Sequence, residues 1–150
     1  MSTDHRDPPE PRGHYSSAVL HAGIVYTAGM TPRHHGELTV TGLVGSTVSV
    51  AAAREAAGLA ATNALAAVFA ALPPDVSGVR CLRMTVYIAC APDFHDLSKV
   101  ADGASLAISA TLGAHALPAR SAVGVQTLPS GAPVEVELVA AADSFRCVAD

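Results

Sequence analysis

The sequence predicts a single-domain α+β fold in which two helices cover one face of a β-sheet. Apolar residues at helical spacing indicate two amphipathic helices, and shorter apolar or alternating segments before, between and after them indicate strands. The predicted order is strand, strand, helix, strand, helix, strand, strand. With 150 residues, half of them hydrophobic, the chain is long enough to bury one sizeable core.

The first helix is predicted over residues 50–72, because its large apolar residues follow the i, i+3, i+4, i+7 spacing of one helix face: Leu65, Val68, Phe69 and Leu72. Gly58 and Ala61 continue this stripe, which predicts a close approach of the helix backbone to a packed sheet. The second helix is predicted over residues 94–112, with Gly113 as its C-terminal cap. Each helix has a single apolar face, so each requires a sheet or partner to pack against.

Five segments are predicted as strands, over residues 18–20, 24–28, 81–88, 120–126 and 134–140. In the third of these, one apolar set alternates with a mixed set: Leu82, Met84, Val86 and Ile88 against Cys81, Arg83, Thr85 and Tyr87. The apolar set is expected to face the helices. The mixed set suits an interface between subunits.

Composition excludes several classes of function. Charged residues make up 15% of the chain and the net charge is -4, so no basic surface is expected for nucleic acid. Residues 56–72 are rich in alanine and carry Thr62 and Asn63, which favours a buried helix over a membrane span. We therefore expect a protein that binds neither nucleic acid nor membrane.

The three cysteines, Cys81, Cys90 and Cys147, are odd in number and fit no metal-binding spacing, which favours a reducing compartment. Residues 1–12 are polar and proline-rich, without the apolar core of a secretory signal, so we expect an unstructured tail followed by a domain over residues 13–150. A cytoplasmic location follows. The seven histidines form no three-ligand spacing, so no metal is expected.

Four residues have side chains or backbone suited to chemistry. Arg120, at the start of a predicted strand, can grip a carboxylate with its planar fork, and Glu135 can position a water. Tyr15 offers an aromatic wall, and the backbone at Gly29 is open to a ligand. Each also has a purely structural interpretation: an ion pair for Arg120, an outward strand position for Glu135, an edge-of-core aromatic for Tyr15 and a bulge for Gly29.

Five segments, in order and approximate spacing, resemble the Rid (YjgF-type) enamine/imine deaminase family: GHYSSAV, YTAGMTP, RMTVYIACAPDF, PARSAVGV and LPSGAPVEVE. The likeness is greatest to a longer, less characterised bacterial branch. It implies a chorismate-mutase-like α+β fold with a mixed sheet, assembled as a homotrimer with sites in the clefts between subunits. It also implies hydrolysis of 2-enamine or 2-imine acids to 2-keto acids and ammonia, without a cofactor.

The resemblance implies roles for the residues that match the family's motifs. Arg120 would grip the substrate carboxylate, Glu135 would handle water, the backbone at Gly29 would assist and Tyr15 would line the pocket. Three further positions in the implied substrate pocket depart from the usual residues of the family: Met30, Ala122 and Ser98. These departures indicate a carboxylate substrate that is larger or less polar than 2-aminoacrylate.

The distance between the two main candidates depends on strand pairing. If the last two strands form a simple hairpin, Arg120 and Glu135 lie about 13 Å apart along the ladder, too far to share one substrate. Either the strands are not hairpin neighbours, or the two residues meet across a subunit boundary.

Three other functions remain open at this point. The protein can be a tailoring or guard enzyme for an imine of a larger metabolite, or a non-catalytic trimer that senses small carboxylates. The third is RNA cleavage, which the family's older endoribonuclease label suggests. The acidic balance of the chain argues against it.

Overall fold

The computed structural model describes residues 7–76 and 78–143. Cys147 and residues 1–6 of the predicted tail lie outside this range. The strands are β1 (Ala18–His21), β2 (Ile24–Thr27), β3 (Arg33–His34), β4 (Glu37–Leu38), β5 (Val79–Ala89), β6 (Ala119–Val125) and β7 (Val134–Ala142). The helices are α1 (Val50–Ala71) and α2 (Leu97–Leu112). The five long strands and both helices occur in the predicted order, while the two-residue pair β3 and β4 was not predicted.

Five strands form one mixed sheet in the order β1-β2-β7-β5-β6. β5 and β6 are parallel and are connected through α2, whereas every other neighbouring pair in this sheet is antiparallel. β7 therefore pairs with β2 on one side and β5 on the other. Since β5 separates β6 from β7, the last two strands are not hairpin neighbours.

Both helices pack on one face of the sheet, as predicted. One core contains alternate residues of β5 and β7 together with the buried faces of α1 and α2. The Ser49 hydroxyl accepts a hydrogen bond from the Ala52 backbone N–H (3.1 Å) and so caps α1. Gly113 ends α2 with φ +97°, a conformation that favours glycine.

Gly58 contacts a different element from the one predicted. A Cβ added at Gly58 would lie 3.3 Å from the Gly103 carbonyl oxygen of α2, and one added at Gly103 would lie 2.8 Å from the Arg54 Cα of α1. The two glycines thus allow α1 and α2 to approach each other closely. The expectation that Gly58 approaches the sheet is wrong, because α2 packs against this part of α1.

The alternation predicted for β5 is wrong at its first two residues. The pairing with β7 shifts register between Cys81 and Arg83, as in a β-bulge. The extra residue reverses the pattern, so that Cys81 is buried (2% exposed) and Leu82 is 40% exposed. From Arg83 onward the predicted pattern is correct, and Met84, Val86 and Ile88 are fully buried.

Within the part of the chain that the structure describes, none of the helices combines the length and apolar character needed to cross a bilayer. The alanine-rich residues 56–71 belong to α1, whose buried face is part of the core.

Candidate functional site

Arg120 lies near the start of β6, opposite Met84 of β5, and therefore on the helix-covered face of the sheet. Its Nη1 donates hydrogen bonds to Asp102 Oδ1 and Ser105 Oγ, and its Nη2 donates one to Ser98 Oγ; each is 2.8 Å long. The Arg120 side chain is 20% exposed and that of Asp102 is 51% exposed. The guanidinium is thus fixed at the border between core and solvent.

Sequence reasoning selected Ser98 and Arg120 but missed Asp102 and Ser105. The spacing of these residues in the sequence could have indicated them, because Ser98, Asp102 and Ser105 follow the i, i+4, i+7 pattern of one polar face of α2. A guanidinium has five N–H donors. The three hydrogen bonds to α2 leave two of them without a partner among residues 7–76 and 78–143, enough to hold a carboxylate in a bidentate manner.

Glu135 lies on β7 opposite Tyr87 of β5, on the face of the sheet that the helices do not cover. It is half-buried against Gly29. A Cβ added at Gly29 would lie only 2.5 Å from Glu135 Cδ and 2.8 Å from its Cγ, so the absence of a side chain at residue 29 makes room for this carboxyl group. Gly29 and Glu135, which were selected separately from the sequence, are therefore in direct contact.

The surroundings of Glu135 favour its protonated form. Burial raises the pKa of the Glu135 carboxyl above its ordinary value, and the nearby negative charge of Glu137 raises that pKa further. The Tyr87 hydroxyl donates a 2.8 Å hydrogen bond to Glu137 Oε1, which raises the pKa of Tyr87. Tyr87 and Glu137 were not selected from the sequence, although strand alternation assigns Glu137 to the same face as Glu135.

Arg120 and Glu135 do not meet within one chain. Their strands are separated by β5, and their partners on β5, Met84 and Tyr87, are three residues apart. The two residues are separated by two strand spacings across the sheet and by the rise of three residues along it. Together these displacements place their Cα atoms about 14 Å apart. The two residues also lie on opposite faces of the sheet.

The remaining predicted residues lie in three different environments. Tyr15 is 52% exposed, and its hydroxyl accepts a 3.3 Å hydrogen bond from the Arg12 backbone N–H. The Met30 backbone exchanges two hydrogen bonds with Val136 (2.8 and 2.9 Å), which fixes the chain beside Glu135, while the Met30 side chain is buried. Ala122 lies opposite Val86, partly buried against the core.

A cleft of about 800 Å³ lies between residues 7–12 and the β3–β4 ribbon, and it includes none of the predicted site residues. In this segment the Ser17 hydroxyl donates to the Pro9 carbonyl at 3.5 Å, and the Arg12 side chain donates to the Gly36 carbonyl. Among the described residues, no three His, Cys, Asp or Glu side chains are grouped as a metal site requires.

The chain is similar over most of its length to several proteins of known structure. It is 38% identical to Atu1372 of Agrobacterium tumefaciens, with a TM-score of 0.83 and coverage of 89% of this chain and 86% of that one. The YjgF gene product of Escherichia coli is 27% identical (TM-score 0.64; 90% and 93% covered). TdcF of E. coli, solved with bound serine, is 26% identical (TM-score 0.63; 93% and 95% covered).

The resemblance to YjgF-type proteins noted in the sequence is thus confirmed by fold as well as by motif. Residues 5–142 match the family described as Endoribonuclease L-PSP. Because this match spans nearly the whole chain, the protein belongs to the Endoribonuclease L-PSP family, the family of YjgF.

Proposed function

We propose that the protein hydrolyses reactive 2-enamine or 2-imine acids to 2-keto acids and ammonia without a cofactor. The observation that carries the proposal is the fixed guanidinium of Arg120, which keeps two N–H donors for a substrate carboxylate. The relative TdcF, which binds serine, supports a small carboxylate as the ligand. An imine reacts with water unaided, so the protein mainly supplies orientation.

In this proposal Arg120 and Glu135 have separate roles. Arg120 holds the carboxylate and withdraws electron density from the adjacent carbon. Glu135 directs a water onto that carbon and passes one of its protons to the nitrogen. The second proton then moves from the new hydroxyl group to the nitrogen as the C–N bond breaks, so that ammonia leaves and a keto group forms. The raised pKa of Glu135 suits it to accept and return a proton nearer to neutral pH than an ordinary glutamate can.

We propose that the site forms between subunits of a homotrimer, where Arg120 of one chain meets Glu135 of the partner subunit. The separation of about 14 Å within a chain supports this, because one small substrate cannot reach both residues. The open sheet face carries exposed Val19, Tyr26 and Val123, an apolar area typical of a surface that a second chain covers. The cleft beside the β3–β4 ribbon includes neither residue, which accords with a site that forms only between subunits.

A tailoring or guard enzyme for a larger imine is the second candidate. The resemblance supports it, because Ser98, Ala122 and Met30 depart from the usual residues of the family at positions where the substrate would be selected. RNA cleavage is less consistent with this chain, because the net charge is -4 and Glu135 and Glu137 lie on the open face. We propose a cytoplasmic location, where free thiols such as Cys81 and Cys90 remain reduced.

The first test is a coupled assay in which a dehydratase generates 2-aminoacrylate and the rate of pyruvate appearance is followed with and without the protein. Wild-type protein is expected to accelerate the rate, while Arg120→Ala and Glu135→Gln should each abolish the acceleration. Arg80→Ala, at an exposed arginine on the same sheet, is the matched control. No acceleration by the wild type, with larger imines also unreacted, would refute the proposal.

A mixing experiment tests the shared site. If each site takes Arg120 from one chain and Glu135 from the next, equal mixing of the R120A and E135Q chains leaves about a quarter of the sites intact in a closed trimer. Co-refolded mixtures should therefore recover roughly a quarter of the wild-type rate, although each variant alone is inactive. Mixtures that stay inactive despite subunit exchange would assign both residues to one chain.

A further inference from the structure

Asp102 is the one acidic group in contact with Arg120 in the described part of the chain. Its Oδ1 atom lies 2.8 Å from Arg120 Nη1, and its side chain is half exposed. A carboxylate has about four lone-pair positions, and only the contact with Arg120 is made here by residues 7–76 and 78–143. Asp102 thus presents a free acceptor beside two free donors of Arg120.

A ligand that fits this arrangement carries a negative group and a positive group that are bonded to the same carbon atom. A carboxylate alone would face repulsion from Asp102, since like charges at contact distance disfavour each other. An α-amino acid, or a 2-imino acid protonated on nitrogen, has a carboxylate for Arg120 and an N–H⁺ group one carbon away for Asp102. Each charged group of such a ligand then meets the opposite charge, on Arg120 or on Asp102.

We propose that Asp102 is a ligand-binding residue that holds the cationic nitrogen of the substrate, so that the site recognises amino and iminium acids and disfavours keto acids. This inference rests on the proposed function for the role of Arg120. The keto-acid product has lost its nitrogen and faces Asp102 without compensation, which favours product release.

The same contact assists the reaction. An iminium carbon is more electrophilic than that of a neutral imine, and a hydrogen bond to Asp102 stabilises the charged form. Water adds to the C=N carbon and one of its protons moves to the nitrogen. The second proton then leaves the new hydroxyl group for the nitrogen as the C–N bond breaks, which gives the keto acid and ammonium. This hydrolysis needs no oxidant or cofactor.

Calorimetric titration with L-serine and with pyruvate tests the inference on the wild type, on Asp102→Asn and on Asp96→Asn. Asp96 is the matched control, because it precedes α2, pairs with Lys99 at 3.4 Å and carries the same charge. Asp102→Asn should weaken serine binding about tenfold or more, through loss of a charge-assisted hydrogen bond, and should leave pyruvate binding equal or tighter. Asp96→Asn should change neither, and Asp102→Glu should restore the preference for serine.

Three results would overturn the inference. If Asp102→Asn bound both ligands more tightly, Asp102 would only compete with them for Arg120. If the variant bound both ligands equally more weakly, Asp102 would only hold the guanidinium in position. Binding of neither ligand by the wild type would exclude the site. The hydrolysis assay is a separate readout: a serine preference that depends on Asp102, without hydrolysis, would refute the proposed function and leave an amino-acid-binding site.

Discussion

Replacing Gly29 by alanine tests whether the position of the Glu135 carboxyl controls activity. The added Cβ would lie 2.5 Å from Glu135 Cδ, whereas carbon atoms in contact prefer about 3.5–4.0 Å. The carboxyl carbon therefore has to withdraw by about 1 Å or more, and a misplacement of about 1 Å in a reacting group can cost on the order of 10²-fold in rate. Gly29 lies outside the left-handed φ region, so the alanine adds no backbone strain.

The measurement is the initial rate in the coupled assay, together with the melting temperature. We expect G29A to lose on the order of 10²-fold in rate, with a loss of about 1 kcal/mol in the free energy of unfolding, because the half-buried glutamate can move toward solvent. In the double variant G29A/E135Q, the glycine substitution should cost little more, since both changes act on one group. A G29A rate within threefold of wild type, or independent losses in the double variant, would refute the reasoning.

Two further predictions concern stability. Because the folded-state pKa of Glu135 is raised, its stabilising contribution is complete below the ordinary value of 4.5 and is lost as pH rises through the raised value. The melting temperature of Glu135→Gln relative to wild type should therefore increase from pH 4 to pH 8, with Glu37→Gln as an exposed control; a decrease would contradict this. Gly103→Ala should lower the free energy of unfolding in urea by about 1–3 kcal/mol or more, because its Cβ would meet the α1 backbone at Arg54. Gly58→Ala has more room and should cost less; equal costs would count against the close helix approach.

The elements with strong local patterns could be predicted from the sequence. α1 was predicted within one residue of its end, and Gly113 was identified as the cap of α2. The bulge at Leu82 could not be predicted, because an added residue in a ladder depends on the partner strand β7. β3 and β4 could not be predicted either, because a strand of two residues is too short to show the alternation of apolar and polar residues.

Part of the candidate site could be selected from the sequence, whereas its arrangement could not be predicted. Gly29 with Glu135, and Ser98 with Arg120, were selected from motifs and are in contact in the structure. That these pairs lie on opposite faces of the sheet depends on the position of β5 between β6 and β7, which no local pattern specifies. Asp102 was missed because its contact with Arg120 joins residues 18 positions apart on two elements.

The central position of β7 also has a consequence for how the chain acquires its fold during synthesis. β1 and β2 leave the ribosome early, and β5, α2 and β6 follow, but the strand that joins these two groups into one sheet is made after all of them. Until then β2 and β5 each present an unpaired edge, a state that invites association with other chains. Folding of this sheet is therefore dominated by late, long-range pairing, which is slow relative to helix formation.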